Sequence, residues 1–330
     1  MPVTLKDVAL AAGVSRAAVS RTFTDGASVS ARMRVKVEAA AQSLGYQPNM
    51  LARGLMTGAT RMVGLVSNNF HNPVFLEIFD LFTRRLQEAG LRPLLVNLSD
   101  EVDPARSLQT LQQYAVDGVV IASSHLPDGF AHAFRAAGVP VVHAFGRATA
   151  APDVHVVGID NVAAGQMAAG ALLARGYQRL GFIGGPEGAS TTQDRLAGFR
   201  AGTAGQAVQV HFAGAYTHAA GRAAMTEALR DRAEAYFCAD DVLSIGAMSA
   251  VANAGLNVPG DVGIIGLNDM AMAGWANIAL TTIHQPFAAI VDAAIGLMEA
   301  QFQDPTDDPE SRIFPCHVVE RGTLRPLPQG

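Results

Sequence analysis

From residue 62 onward one pattern repeats. Short apolar runs recur at Val63–Ser67, Pro93–Val96, Val119–Ala122, Val141–Phe145 and Val156–Ile159, then at Leu180–Ile183, Val208–Phe212, Tyr236–Cys238, Ile264–Leu267 and Val318–Val319. Helical stretches separate most of them, at 104–114, 129–137, 161–175, 195–204, 218–230, 241–254 and 288–302. A further stretch sets Phe75, Ile78, Phe79, Phe82 and Leu86 on one face. A run that is apolar at every position needs cover on both faces, which helices supply in a parallel α/β sheet. The units suffice for two doubly wound parallel lobes. The runs have the length of buried strands and fall well short of a membrane span. Hydrophobic residues make up 49% of the chain and charged residues 16%, enough for a large core and too apolar for global disorder.

The first sixty residues read differently. Leu5, Val8, Ala9 and Ala12 fall at helical spacing, with Thr4 as N-cap, Asp7 in a capping-box position and Gly13 as the stop. Ser15 caps a second helix with Ala18, Val19 and Phe23 inward, and Asp25-Gly26 is a turn signal. Ser30 caps a third helix with Met33, Val37, Ala40, Ala41 and Leu44 on one face and Gly45 beyond it. Two short helices across a tight glycine turn, packed by a third, make a helix-turn-helix.

Charge separates the same two regions. The whole chain carries a formal −5, which taken alone argues against a nucleic-acid partner. Residues 1–61 hold eight Lys/Arg against three Asp/Glu, or +5, which leaves −10 for the remainder. A basic head on an acidic body is the asymmetry expected of a nucleic-acid module joined to a separate domain.

Two segments carry a specific resemblance. VTLKDVALAAGVSRAAVSRTF and SVSARMRVKVEAAAQSLGYQPNMLARGL resemble the N-terminus of the LacI/GalR family of transcription regulators almost without gaps. The rest resembles that family's periplasmic-binding-protein-like domain through DGVVIAS, VGIDNVAAG, RGYQRLGFIGGP, RLAGF, CADDVLSIGA, GLNVPGDVGIIGLND and LTTIHQP. The resemblance implies a helix-turn-helix domain at 1–46, a hinge helix at 47–60 and an effector-binding and dimerisation domain at 61–330. Lobe 1 would span about 61–159 plus 287–317, and lobe 2 about 160–286 plus 318–330.

In the head, Arg16, Ala17 and Arg21 stand where a recognition helix reaches base edges. Each arginine can donate two hydrogen bonds to guanine, and Ala17 suits a thymine methyl. The family often has a larger polar residue at Ala17. Thr4, Ser15, Ser20, Ser30, Arg32 and Arg34 are candidates for phosphate contacts, which position without specifying. Pro48 through Leu55 matches the hinge helix, with Ala52 and Arg53 in the minor groove and Leu55 as the wedge between base pairs. Gly54 and the shortness of this segment favour a helix that orders on DNA.

In the body, the resemblance places effector contacts at Phe75, Arg147, Thr191, Arg195, Tyr216, Asp240 and Asn268. Arg195 opens the RLAGF helix and presents a planar fork, whose other use would be an ion pair between the lobes. Phe75 and Tyr216 suit apolar walls or core. The family usually has Asp at Asn268 and often Asn at Asp240. An acidic or modified effector follows from that departure if Asn268 faces the ligand.

Catalytic signals are weak. Gly184 through Gly188 fits neither GxGxxG nor a Walker A loop. Asp240-Asp241 lacks a third ligand for a metal, and Asp241 is expected to cap a helix or serve structure. The nine histidines show no zinc spacing. Cys238 and Cys316 form no CxxC, fit a reducing compartment and are expected to be inert. Gln303–Arg312 reads as an exposed loop.

No basic segment followed by an apolar one opens the chain, so no signal peptide is expected. The expectation is a cytoplasmic, non-enzymatic transcription regulator, a repressor by resemblance. It needs no metal or cofactor and has no membrane partner. It would bind pseudo-palindromic double-stranded operator DNA as a homodimer, with an effector related to a carbohydrate between the lobes. The helix through 75–86 could supply the dimer surface. The tail TLRPLPQG has no heptad for tetramerisation. The alternatives are a solute-binding protein, a sugar-modifying enzyme, or a regulator answering to purines or nucleosides as corepressor.

Overall fold

The computed structural model describes residues 3–24, 27–47, 54, 59–98, 104–123, 129–304 and 308–328. The chain divides into two compact units, Met1–Thr60 and Arg61–Gly330.

The first unit has three described helices, α1 (Leu5–Ala12), α2 (Arg16–Thr22) and α3 (Ala31–Leu44). Thr4 and Asp7 form a reciprocal capping box at the start of α1, and Gly13 ends that helix in the left-handed region at φ 58°. Ser15 and Ser30 cap α2 and α3 by accepting from Ala18 N and Met33 N. The core consists of Val8, Ala9, Ala12, Val19, Val37 and Ala41, with Phe23 and Tyr46 rings in contact at its edge. Leu44, expected on the inward face, is exposed. Thr22 is buried instead and donates its hydroxyl to Ala18 O.

The second unit is built on two six-stranded sheets. Its strands are β1 (Met62–Ser67), β2 (Arg92–Asn97), β3 (Gly118–Ala122), β4 (Val141–Ala144), β5 (His155–Ile159), β6 (Leu180–Gly184), β7 (Val208–Phe212), β8 (Ala235–Cys238), β9 (Gly263–Asn268), β10 (Thr282–His284), β11 (Ser311–Phe314) and β12 (His317–Val319). The intervening helices are α4 (Val74–Glu88), α5 (Pro104–Gln113), α6 (Phe130–Ala136), α7 (Asn161–Leu173), α8 (Ser190–Gly202), α9 (His218–Ala228), α10 (Asp241–Asn253) and α11 (Phe287–Gln303).

Lobe 1 has strand order β11-β5-β4-β3-β1-β2 and lobe 2 has β12-β10-β9-β8-β6-β7. Every described pair is parallel except β10–β12. The order reverses between β1 and β3 in one sheet and between β6 and β8 in the other. A crevice outside the strand C-termini opens at such a switch point. The chain crosses between lobes after β5, after β10 and after β11.

Two strands escape the sequence pattern. β10 is three residues long, and β11 falls partly within the segment expected to be a loop. β11 is an edge strand with two exposed and two half-buried residues, so neither period shows. Helix α8 begins at Ser190, five residues before the expected start. Its N-cap Ala189 makes no side-chain cap, so the usual signal is missing. The apolar face of α4 is core: Phe75, Ile78, Phe79, Phe82 and Leu86 are all buried in lobe 1, while Leu76 of the same helix is exposed.

Glycine sets the approach of α7 to α8. A Cβ on Gly165 would overlap the Arg195 carbonyl, and one on Gly198 would overlap the Val162 carbonyl. This backbone contact fixes where Arg195 enters the crevice.

Candidate nucleic-acid interface and effector cleft

In the first unit, Arg16, Ala17 and Arg21 are all exposed on α2. Ser20 is half-buried, whereas Thr4, Ser15, Ser30 and Arg32 are exposed. Three of these hydroxyls already accept from helix starts, so Thr4, Ser15 and Ser30 mark helix N-termini where unpaired backbone N–H groups favour a phosphate. Arg34 is half-committed elsewhere. Its Nη1 donates to Thr22 O at 3.0 Å and lies 3.9 Å from Glu38, bracing the end of α2 against α3. Ala52, Arg53 and Leu55, the hinge assignments, lie outside the described residues, as does the Asp25-Gly26 turn.

In the second unit, a cleft of about 500 Å³, counting its open mouth, lies between the lobes at the strand C-termini. Lobe 1 contributes Phe75 and Ile78 from α4, Phe145 after β4 and Phe287 at the start of α11. Phe145 and Phe287 meet edge-on with ring centroids 6.0 Å apart. Lobe 2 contributes Asn161, Thr191, Arg195, Tyr216, Asp240, Asn268 and Gln285, and lobe 1 adds the polar Asn69 and Asn72.

Arg195 is buried, and its Nε donates to Asn161 Oδ1 at 2.8 Å and its Nη1 to Ala239 O at 2.5 Å. Both partners belong to lobe 2. They hold the fork in place and leave further N–H donors for a ligand. Tyr216 is fixed by Thr191 and Thr192, whose hydroxyls lie 3.2 and 3.0 Å from its phenol oxygen.

Asp240 is the N-cap of α10, a role expected of its neighbour. Its Oδ1 accepts from Val242 N at 2.8 Å, and its Oδ2 accepts from Asn268 Nδ2 at 2.9 Å. Burial pushes its carboxyl above the usual range, opposed by these hydrogen bonds and by the Arg195 charge. Asn268 in turn accepts from Gln285 Nε2 at 3.0 Å. Two non-glycine residues of the cleft have positive φ, Phe145 at 65° and Asn268 at 129°. Such strain concentrates where a site fixes its side chains.

The Asp240–Asn268 bond changes how the departure from the family reads. The two residue types are exchanged, and the cleft still pairs one carboxylate with one amide. Asn268 turns its amide nitrogen to Asp240, so its lack of charge gives no support for an acidic ligand.

Six of the seven expected effector residues line this cleft. Arg147 does not. It forms a two-point ion pair with Asp194 across the lobes, Nε to Oδ2 at 2.8 Å and Nη2 to Oδ1 at 2.7 Å. The interlobe ion pair considered for Arg195 thus falls on Arg147. Four polar lining residues were not among the expected effector contacts: Asn69, Asn72, Asn161 and Gln285. Asn161 and Gln285 lie inside the VGIDNVAAG and LTTIHQP segments, next to the crossings, and that position was the available signal.

Asp241 serves structure. Its carboxylate accepts from Thr282 Oγ1 at 2.5 Å and Met270 N at 2.9 Å, and burial pushes it up to about 7. Burial also raises the Cys238 thiol and pushes that of Cys316 up to about 11, so neither is activated. Among the described residues, no group of three His, Cys, Asp or Glu could hold a metal, and no helix is long and apolar enough to cross a membrane.

A three-helix head followed by a two-lobed α/β body with a polar cleft defines a class of ligand-responsive DNA-binding proteins. Residues 4–49 match the family described as bacterial regulatory proteins, lacI family, and residues 169–324 match a periplasmic binding protein-like domain. The HTH-type transcriptional repressor PurR of Proteus mirabilis (strain HI4320) is 31% identical over 333 residues, covering 97% of this chain and 96% of PurR. The lac repressor dimer bound to operator and the anti-inducer ONPF superposes with a TM-score of 0.88 at 25% identity, over 98% of this chain and 100% of that one. The transcriptional regulator CelR–cellobiose complex superposes with a TM-score of 0.72 at 29% identity, over 97% and 99% of the two chains. The chain belongs to the LacI family of bacterial transcription regulators.

Proposed function

We propose that the head reads operator DNA through Arg16, Ala17 and Arg21, and that a neutral, carbohydrate-derived effector in the interlobe cleft sets operator affinity. The observation that carries this reading is the buried pair of opposite charges in one cleft, Arg195 and Asp240, beside the aromatic side chains of Phe75, Phe145 and Phe287. One guanidinium and one carboxylate balance, so a neutral ligand adds no uncompensated charge. Hydroxyls suit both, and the apolar wall suits the face of a sugar ring.

Dimerisation places two heads on two half-sites of a pseudo-palindromic operator. Thr4, Ser15, Ser20, Ser30 and Arg32 would hold phosphates, with Arg34 divided between phosphate and α2. Ala52, Arg53 and Leu55 would enter the minor groove. Effector would change the relative populations of lobe arrangements and so the spacing of the heads. The chain would act as a non-enzymatic repressor in the cytoplasm.

A second reading, a purine or nucleoside effector, draws on the similarity to PurR and on the aromatic wall, which also suits a planar base. A thermal-shift panel of cellobiose, ribose, other neutral sugars, sugar acids, nucleosides and purine bases separates the two. Operator recovered by selection from random duplexes is then titrated with and without the binder. The first reading expects a neutral sugar to raise Tm and to change operator affinity at least tenfold. A response to purines alone establishes the second reading. Failure to bind any duplex overturns both.

A further inference from the structure

One hydrogen bond joins the starts of two helices across the cleft. Asn72 follows β1 in lobe 1 and Asp240 follows β8 in lobe 2, each next to its sheet's switch point. Asn72 Nδ2 donates to Asp240 Oδ2 at 2.8 Å, and both residues are buried. Each side chain also holds the helix beside it. Asn72 Oδ1 accepts from Val74 N, the first residue of α4, at 3.2 Å, while Asp240 Oδ1 accepts from Val242 N in α10. A second contact lies on the same side, where Glu77 in the first turn of α4 accepts from Ala271 N of lobe 2 at 2.9 Å.

The bond also restricts what a ligand can use. A carboxylate has about four acceptor positions. Asn72 and Asn268 occupy Oδ2, and Val242 N occupies part of Oδ1. About one position, on Oδ1, remains open to a ligand donor.

We propose that Asn72 is a positioning residue of the effector cleft: its amide locks the start of α4 to the start of α10 and limits a ligand to a single donor on Asp240. The role of the cleft rests on the functional reading above. The lock itself rests on the geometry alone. The register of the lobes then depends on an amide-to-carboxylate hydrogen bond that a ligand donor must fit beside.

The test separates the local role from the cross-lobe role. Asn72→Asp and Asn72→Ser both keep an oxygen for Val74 N, and both lose the amide donor. The aspartate also sets two carboxylates against each other. Hydrogen exchange followed by mass spectrometry on the full chain, without ligand, is expected to show segment 240–246 exchanging at least fivefold faster in both variants. The start of α4, the head helices and β6 should stay within twofold of wild type. Unchanged exchange at the start of α10 in both variants overturns the lock. Should Asn72→Asp lose its cooperative unfolding transition, Asn72→Ser carries the comparison.

Cellobiose and ribose supply the binding arm. Where either binds the wild type, Asn72→Ser is expected to weaken it at least tenfold, and equal affinity overturns the positioning role in ligand binding. If the wild type binds neither sugar nor DNA, the functional reading fails while the exchange result still decides the lock.

Discussion

The head and the body place their candidate functional side chains in opposite environments. On α2, Arg16, Ala17 and Arg21 are exposed, and the core beneath them consists of six small or β-branched residues. In the cleft, Arg195, Asp240 and Asn268 are each under a tenth exposed and bonded to neighbours that are themselves buried. A surface residue meets its partner without disturbing the fold, whereas a buried polar residue is bound into it. Changes in the head should therefore alter function at constant stability, and changes in the cleft should alter both.

The largest expected effect is that of Arg195→Leu. It leaves Asn161 Oδ1 and Ala239 O buried without their donor, at about 1–3 kcal/mol for each group. At about 2–4 °C per kcal/mol for a domain of this size, Tm should fall on the order of 5–15 °C. Calorimetry reads this, and effector binding should disappear in the same variant. An unchanged Tm would break the comparison from the side of the body.

Arg21→Ala comes next. If Arg21 makes a two-point guanine contact in each head, the variant loses two in the dimer and operator binding weakens by about 2–6 kcal/mol, roughly 30-fold or more. Tm should stay within about 1 °C, since surface changes of this kind are near neutral. A fluorescence-anisotropy titration beside a melting curve checks both halves. A large loss of Tm would show that Arg21 supports the head.

A pH-dependent effect comes from the two buried carboxylates. The Asp241 carboxyl is pushed up to about 7 from an ordinary value near 3.8, and Asp240 is raised as well. The folded state thus holds protons that the unfolded chain has already released, so these groups favour folding most below pH 3.8. Their contribution declines as pH rises and is gone above about 7 for Asp241. Asp241→Asn should flatten its part of that decline in a series of urea melts between pH 4 and pH 8. The exposed head carboxylate Asp7, lowered chiefly by the Thr4 hydroxyl bond, has the opposite sign and loses its contribution as pH falls.

The smallest effect is assigned to Arg147→Ala. Its pair with Asp194 is partly exposed, and such pairs contribute about 0–1 kcal/mol. Effector affinity should change less than threefold by calorimetric titration. A tenfold loss would return Arg147 to the ligand.

Much of this was legible in the sequence, and what escaped has physical causes. Helical periodicity, serine caps and the left-handed Gly13 and Gly45 place the head without any tertiary information. Buried strands such as β3 and β9 announce themselves because every residue in them is apolar or glycine but for the terminal Asn268. β10 does not, being only three residues long, and neither does β11, an edge strand with two exposed and two half-buried residues. Arg195 is visible through RLAGF, yet α8 starts a turn and a half earlier at a residue that makes no side-chain cap. Asn72 and Asp240 stand 168 residues apart, and no local pattern reports that the fold brings them to 2.8 Å. Arg147 matched a family position and still turned to Asp194, because the acid lies one residue before Arg195 on the facing helix.

The division of labour is tested most directly by the coupling between sites. One operator duplex is titrated by anisotropy with and without effector, for wild type, Arg21→Ala and Arg195→Ala. The ratio of the two affinities measures the coupling free energy. The account predicts that Arg21→Ala weakens both affinities by the same factor and preserves the ratio. Arg195→Ala should leave the effector-free affinity within threefold of wild type and bring the ratio to one. A preserved ratio in Arg195→Ala would contradict it.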